Sequence, residues 1–274
     1  MPSSPNGSAP ATRDELTRAE RRTASIAGIL FVITFISIAA LPLYDQVLNH
    51  TTHFMVGGNG DLQVELGALC DIITLIAGIG TAVVLYPVLR RQSERLALGY
   101  VTVRVVESAL IGVGVVSLLA VVTLRQDLAG AAGTDHASLI LNGRSLVAVH
   151  DATFLLGPAF CAAIGNGLML GYMMLRSGLV PRRFAQFGIA AGSLALATAI
   201  LVLFGAYDQV SAPSGILTFP EGVWELSLGV YLITKGFRPD AILFRRDRGD
   251  TRADDAAFRR GDSAAVAGAL PAGA

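Results

Sequence analysis

Residues 101–122 read VTVRVVESALIGVGVVSLLAVV. At ~1.5 Å per residue a helix of this length crosses the ~30 Å of hydrocarbon in a bilayer. Arg104 and Glu107 stand inside it. On insertion scales a charge near the bilayer centre costs ~2.5–3.5 kcal/mol. Two such charges need partners, and a surrounding bundle has to provide them.

The rest of the chain agrees with that reading. Of its 274 residues 53% are hydrophobic and only 15% charged, against a usual charged share of roughly 25%. Mean hydropathy is +0.57. Lys+Arg and Asp+Glu balance at 21 each, so bulk charge points to no nucleic-acid partner. Cys70 and Cys161 lie in apolar runs with no CxxC spacing, which excludes a disulfide framework or a zinc site of cysteines.

Outward from residues 101–122 the sequence predicts an all-α, polytopic membrane bundle of six transmembrane helices. Residues 1–23 read as a polar tail ending in a charged collar, Arg18, Glu20, Arg21 and Arg22. The six-helix domain covers 24–237, and 238–274 is a second tail rich in Asp, Arg, Ala and Gly. The expected helices are Ser25–Tyr44, Leu62–Leu89, Leu96–Thr123, His150–Leu175, Phe184–Tyr207 and Ile216–Thr234. The first has too long an apolar core for a cleaved signal peptide. Asp45–Asp61 reads as a polar loop, and Ala137–Val149 as a short helix lying at the interface. Pro158 predicts a kink in helix four that frees the carbonyl of Phe154.

Orientation follows from the basic residues. Four precede helix one, three lie between helices two and three, three between four and five, and eight follow helix six: 18 of the 21. Arg125 and Arg144 fall on the other side and Arg104 in the membrane. The positive-inside rule then puts both termini in the cytoplasm. Tyr86-x-x-Leu89-Arg90 and Tyr172-x-x-Leu175-Arg176 recur 86 residues apart, the trace expected of a duplicated hairpin.

Residues three or four apart share a helix face. Arg104, Glu107 and Ser108 share one on helix three, and Glu221, Trp224, Glu225 and Leu228 share one on helix six. Asp151, Pro158, Gly165, Asn166 and Tyr172 line helix four. Helices one and five carry no intramembrane charge and are expected at the lipid-facing periphery. The outer half collects Glu65, Asp71, Asp151, Glu221 and Glu225, with His150 beside Asp151. Five carboxylates at similar depth without a basic group cannot all be ionised and dry. Either the outer half is wet, or some are protonated, or they bind a cation. Glu65, Asp151 and Glu221 are expected to sit near helix N-termini, where a negative charge is favoured. His50-x-x-His53 lacks a third ligand at fixed spacing, and no metal or cofactor is read. Gly167-x-x-x-Gly171 and Gly188-x-x-x-Gly192 are close-packing spacings. No Walker A, HExxH, GxSxG or GxGxxG occurs.

Several stretches carry a resemblance. They include Arg21-Arg22-Thr23-Ala24 leading into Ile26-Ala27-Gly28-Ile29-Leu30-Phe31, and Tyr44-Asp45-Gln46-Val47-Leu48-Asn49. Val88-Leu89-Arg90-Arg91-Gln92 and Leu98-Gly99-Tyr100 with Arg104-Val105-Val106-Glu107 follow. His150-Asp151-Ala152-Thr153-Phe154-Leu155-Leu156-Gly157-Pro158 and Trp224-Glu225-Leu226-Ser227-Leu228-Gly229 complete the set. Over about residues 20–237 the chain resembles the bacterial membrane family catalogued as domain of unknown function 4386. The resemblance implies a six-helix membrane domain in a bacterial inner membrane and carries no catalytic role.

Three functions remain open from the residues. A small permease or cation- or proton-coupled transporter would use Asp71, Arg104, Glu107, His150, Asp151 and Glu225 along its path, with a small ion or solute as partner beside the lipid bilayer. A non-catalytic sensor or scaffold would use the same charges only to fix packing. An intramembrane enzyme would use His150 and Asp151. Gly157, Pro158, Gly167, Gly171, Gly188 and Gly192 are read as packing positions.

Overall fold

The computed structural model describes residues 13–57, 59–128, 135–239 and 241. Most of both predicted tails, together with Gly58 and the Gly/Ala-rich stretch 129–134, lies outside the described residues. Six helices among those described are long and apolar enough to cross a membrane: Arg18–Leu43, Asp61–Leu89, Glu94–Leu128, His136–Ser177, Arg182–Leu203 and Ala212–Thr234. They are called spans one to six. The chain is an all-α integral, multi-pass membrane protein, and no strand occurs among the described residues.

Each span packs on its sequence neighbours, and span one closes the ring on span six. Short connections force antiparallel neighbours, which yields this up-and-down order. Span four also reaches inward to touch spans three and six. Spans one and five were expected at the periphery. Span one is the least buried of the six, yet it is a full member of the ring and, as described below, lines its cavity. The reason is packing: Gly28 and Gly229 let spans one and six meet backbone to backbone, with a Cβ on Gly28 falling 2.5 Å from the Gly229 carbonyl.

Arginines gather at one end of the bundle. Arg21 donates to the carbonyls of Ile233 (3.3 Å) and Thr234 (2.9 Å) at the close of span six, where a cation meets the negative end of a helix. Arg91 pairs with Glu20 at 3.0 Å. Between spans four and five Gly178 takes the left-handed conformation (φ 72°) and returns its N–H to Met174, the usual helix-ending device of glycine. The core at this end is continuous and large: Trp224, Tyr100, Leu85, Leu89, Met173 and Met174 are fully buried.

The opposite end differs from the sequence reading in three ways. First, Asp45–Asp61 is a packed cap rather than an open loop. Two short helices, Asp45–Leu48 and Thr51–Val56, put Phe54 and Met55 into a second core with Leu118, Val121 and Leu139. The Arg125 guanidinium lies over the Phe54 ring at 4.8 Å and pairs with Asp61. Second, Ala137–Val149 is not a separate interfacial helix. It continues into span four from an N-cap at Asp135, whose carboxylate accepts from the Ala137 N–H at 3.0 Å and the Ser138 hydroxyl at 2.6 Å. Third, span six starts at Ala212, capped by Ser211 and with Pro213 in its first turn, a standard helix start. At the other terminus, the first helix begins at Arg13, so the collar assigned to the tail is helical.

Beyond Phe154 span four changes its helical winding around Pro158. It rewinds into π-helical segments at Leu155–Cys161 and Ala163–Leu170, a common response to a proline that has removed an amide donor. Span one contains a comparable break, a 3₁₀ segment at Phe35–Ala39.

Candidate functional site

A cavity of about 230 Å³ lies inside the ring. Spans one, two, three, four and six contribute polar or aromatic groups to its wall, and span five only Ala195. Four of the six path candidates, Asp71, Arg104, Glu107 and Glu225, line it, and Glu221 joins them. His150 and Asp151 do not.

Arg104 and Glu107 sit one turn apart on span three and form an ion pair at 2.6 Å, both almost wholly buried. The absent side chain of Gly78 makes room for the guanidinium, since a Cβ there would stand 2.9 Å from Arg104 Nη2. The adjacent Ser108 donates to the Leu75 carbonyl at 3.1 Å. Arg104 Nε has no hydrogen-bond partner among the described residues.

Asp71 is buried on span two and accepts a 2.8 Å hydrogen bond from the Tyr44 hydroxyl. Gly67 admits the tyrosine ring, for any Cβ there would collide with it. Asn166, in the π-wound part of span four, is the hub of another set. Its amide oxygen accepts from Tyr100 at 3.1 Å, and its amide nitrogen donates to Glu225 at 2.7 Å. Its backbone carbonyl accepts from the Trp224 indole at 3.2 Å. A π-wound backbone leaves a carbonyl available for such a bond. Gly188 clears the place of the Trp224 ring.

Glu221 lies one turn before Glu225 on the same face. It is 7% exposed, and neither carboxylate oxygen has a partner among the described residues. Its expected role at a helix N-terminus does not hold, because span six begins nine residues earlier. Asp151 likewise stands within the long helix of span four. Its side chain is 62% exposed and faces a separate hollow near His50, His53 and Arg144. Glu65 is exposed in the second turn of span two.

His150 lies between the two hollows without lining either one. Its ring is buried, 5.8 Å edge-on from Tyr44 and stacked 5.6 Å from Phe154, with Nδ1 3.3 Å from Asp151. Tyr44 therefore touches both His150 and Asp71. No three His, Cys, Asp or Glu side chains among the described residues are placed to hold a metal ion. Gly167 and Gly192 meet at their Cα atoms, and Gly171 packs on Gly188 and Ile189. Gly157 lies against the Glu107 carbonyl and Leu110.

Sequence reasoning did not assign Tyr44, Tyr100 or the 3₁₀ segment of span one to the site. A tyrosine at the end of an apolar run reads as an interface anchor, and only packing shows that it turns inward. Asn166 was placed on a face with no partner assigned. An asparagine between Gly165 and Gly167 in mid-membrane was the available signal.

The chain matches the family described as Domain of unknown function (DUF4386) over residues 26–236 and belongs to it. No curated protein and no solved structure matches it.

Proposed function

We propose that this DUF4386 membrane protein is a small permease for a cation or a proton-coupled solute, with Asp71, Arg104, Glu107, Glu221 and Glu225 along its path. The observation that carries the reading is the charge content of the cavity. Four acidic residues and a single arginine line it, and that guanidinium is already committed to Glu107. An interior of one dominant sign attracts counter-ions. The Arg104–Glu107 pair across the wall would stop a bare cation from passing freely, which suits a coupled or gated site better than an open pore. A scaffold would need no cavity here, and its charges could all be paired side chain to side chain.

The test is purified protein in liposomes, assayed for cation-dependent and pH-gradient-dependent flux. Flux above protein-free vesicles that falls in Asp71→Asn and Glu225→Gln supports the reading. No flux with any mono- or divalent cation between about pH 5 and 8 leaves the sensor or scaffold reading.

The positive-inside distribution supports both termini in the cytoplasm of a bacterial inner membrane. In a protein lacking Cys70 and Cys161, a cysteine at the exposed Asn59 should react with an impermeant maleimide added outside cells. One at the exposed Glu94 should not. Reversed labelling would sink this orientation.

A further inference from the structure

His150 and Asp151, read from the sequence as path residues, stand off the cavity wall, and their placement joins two spaces. Asp151 lines the second hollow, of about 480 Å³, beside His50, His53 and Arg144, and its carboxylate is open to solvent. The same carboxylate stands 3.3 Å from His150 Nδ1. The imidazole is buried, and its opposite edge points into the bundle. Its Cδ2 lies 3.3 Å from the place of a Gly114 Cβ on span three, and Gly114, lacking a side chain, leaves the ring its room. On the cavity side Tyr44 meets the ring edge-on and donates to Asp71 Oδ2. A charge on His150 is felt at the Asp71 carboxylate, and Asp71 lines the cavity. Solvent, Asp151, His150, Asp71 and cavity therefore follow one another in a row.

Two atoms in this row have no hydrogen-bond partner among the described residues, His150 Nε2 and Asp71 Oδ1. Neither is sealed off by its neighbours. They are a ring nitrogen and a carboxylate oxygen, the pair a proton transfer needs. Imidazole takes a proton at one nitrogen while releasing one from the other, and it does so near neutral pH. The groups that face the ring come from four elements. Its own span supplies Asp151 and the stacked Phe154 ring, span one Tyr44, span two Asp71 and span three Gly114. No basic side chain is among them, so no second positive charge opposes an imidazolium there.

We propose that His150 carries protons between the two hollows, taking one at Nδ1 from the Asp151 side and releasing the Nε2 proton to the Asp71 carboxylate. An N–H bond forms at Nδ1, the Nε2–H bond breaks, and an O–H bond forms on Asp71. A half-turn of the ring about Cβ–Cγ then brings the bare nitrogen outward for the next proton. This deepens the permease reading by assigning its proton entry and rests on that reading only for transport. Proton arrival at Asp71 is measured without flux.

The experiment is a pH jump, made with a light-released acid and followed by infrared absorption of the full chain in lipid nanodiscs. Protonation of an aspartate gives a carbonyl band, and the band that Asp71→Asn removes is the one to follow. In His150→Gln it should grow ~10-fold or more slowly than in the parent, the loss expected when a positioned proton carrier is removed. Its final amplitude should be kept. In His150→Ala added imidazole should restore the rate in proportion to its concentration, which a merely structural role for His150 would not produce. Asp151→Asn alters an exposed side chain and should also slow the band, and it serves as the test variant should neither His150 variant fold. Glu65→Gln, altering another exposed carboxylate, should leave the rate unchanged. No band lost in Asp71→Asn, a parental rate in His150→Gln, or no rescue by imidazole overturns the proposal, as does a parental rate in Asp151→Asn. Proton arrival at Asp71 in a protein that carries no flux would instead remove the permease reading and leave this route standing.

Discussion

Spans one and six are packed in two different ways along their length. At the arginine-rich end Gly28 and Gly229 bring the backbones into contact, and Trp224, Phe31, Leu228 and Leu232 fill the space behind them. Toward the opposite end Phe35 and Ile38 of span one and Thr218 and Gly222 of span six line the cavity instead. Gly215, exposed in the first turn of span six, has nothing within 4 Å of where a Cβ would be. One end is organised by glycines that remove volume, the other by polar side chains placed around a volume that is kept. The difference teaches that small residues in this chain mark contact only where a neighbour fills the gap they leave.

The largest expected effect tests that contrast directly. Gly28→Leu should abolish most folded protein, because the added atoms meet backbone and a β-branched side chain, Ile233, rather than a flexible end. Overpacking typically costs ~1–3 kcal/mol where side chains can yield; here the backbone of span six must move, so the loss should exceed that of the arginine variant below. Gly215→Ala, in the open half, should carry the opposite sign. Gly215 lies in the first turn of span six, so the gain is at most the ~0.5–1 kcal/mol of a mid-helix glycine, and nothing within 4 Å opposes the new methyl. Monodisperse yield and thermal unfolding in detergent read both. Equal losses at the two positions would mean that the halves do not differ in packing.

The second effect concerns the cavity half. Arg104→Ala leaves Glu107 buried without its cation, and breaking a buried pair typically costs ~3–5 kcal/mol. The double change Arg104→Ala with Glu107→Ala should recover part of that loss. Glu107→Ala alone should be milder than Arg104→Ala, because Arg104 is the only basic group among the described residues of the wall and faces Glu225 as well. A double variant as unstable as the sum of the two singles would show that they do not interact.

The two halves were also unequally legible in the sequence. Span number follows from apolar runs of about 20 residues punctuated by arginines, since bilayer thickness sets length and the positive-inside rule sets the punctuation. The Arg104–Glu107 pair was legible because it lies one turn apart on one helix. Tyr44–Asp71 and Asn166–Glu225 were not, since each joins two spans and depends on rotations that no single helix encodes. Glu221 was misplaced for a related reason. The polar stretch 208–215 reads as a loop, so a start near Ile216 made Glu221 look like a carboxylate near the helix N-terminus. The true start at Ser211–Pro213 moves it a further turn into the membrane. Phe54 and Met55 were hidden in a segment whose composition is polar, because burial there serves only a few scattered side chains, Val47, Thr51, Phe54 and Met55.

The smallest effect lies at the opposite end of the molecule, where a single cap begins span four. The Asp135 carboxyl is held below its ordinary range, first by the Ser138 hydroxyl and then by the Ala137 N–H. The charged form is therefore the one the helix end favours. Its contribution is fully present above the ordinary aspartate value of about 4 and is lost as pH falls through the lower, folded value. Hydrogen exchange at the Ala137 amide should lose protection over that acid window in the parent. Asp135→Asn keeps an acceptor at the cap and should show protection that no longer varies with pH there. Asp135→Ala should be unprotected throughout, because alanine offers the Ala137 N–H no acceptor. None of the three should differ in global unfolding as much as the arginine variants do, since the cap is exposed and the fold is held by the cores behind it. If Asp135→Asn follows the parent's pH dependence, another group governs this helix end and the cap is only one of its contacts.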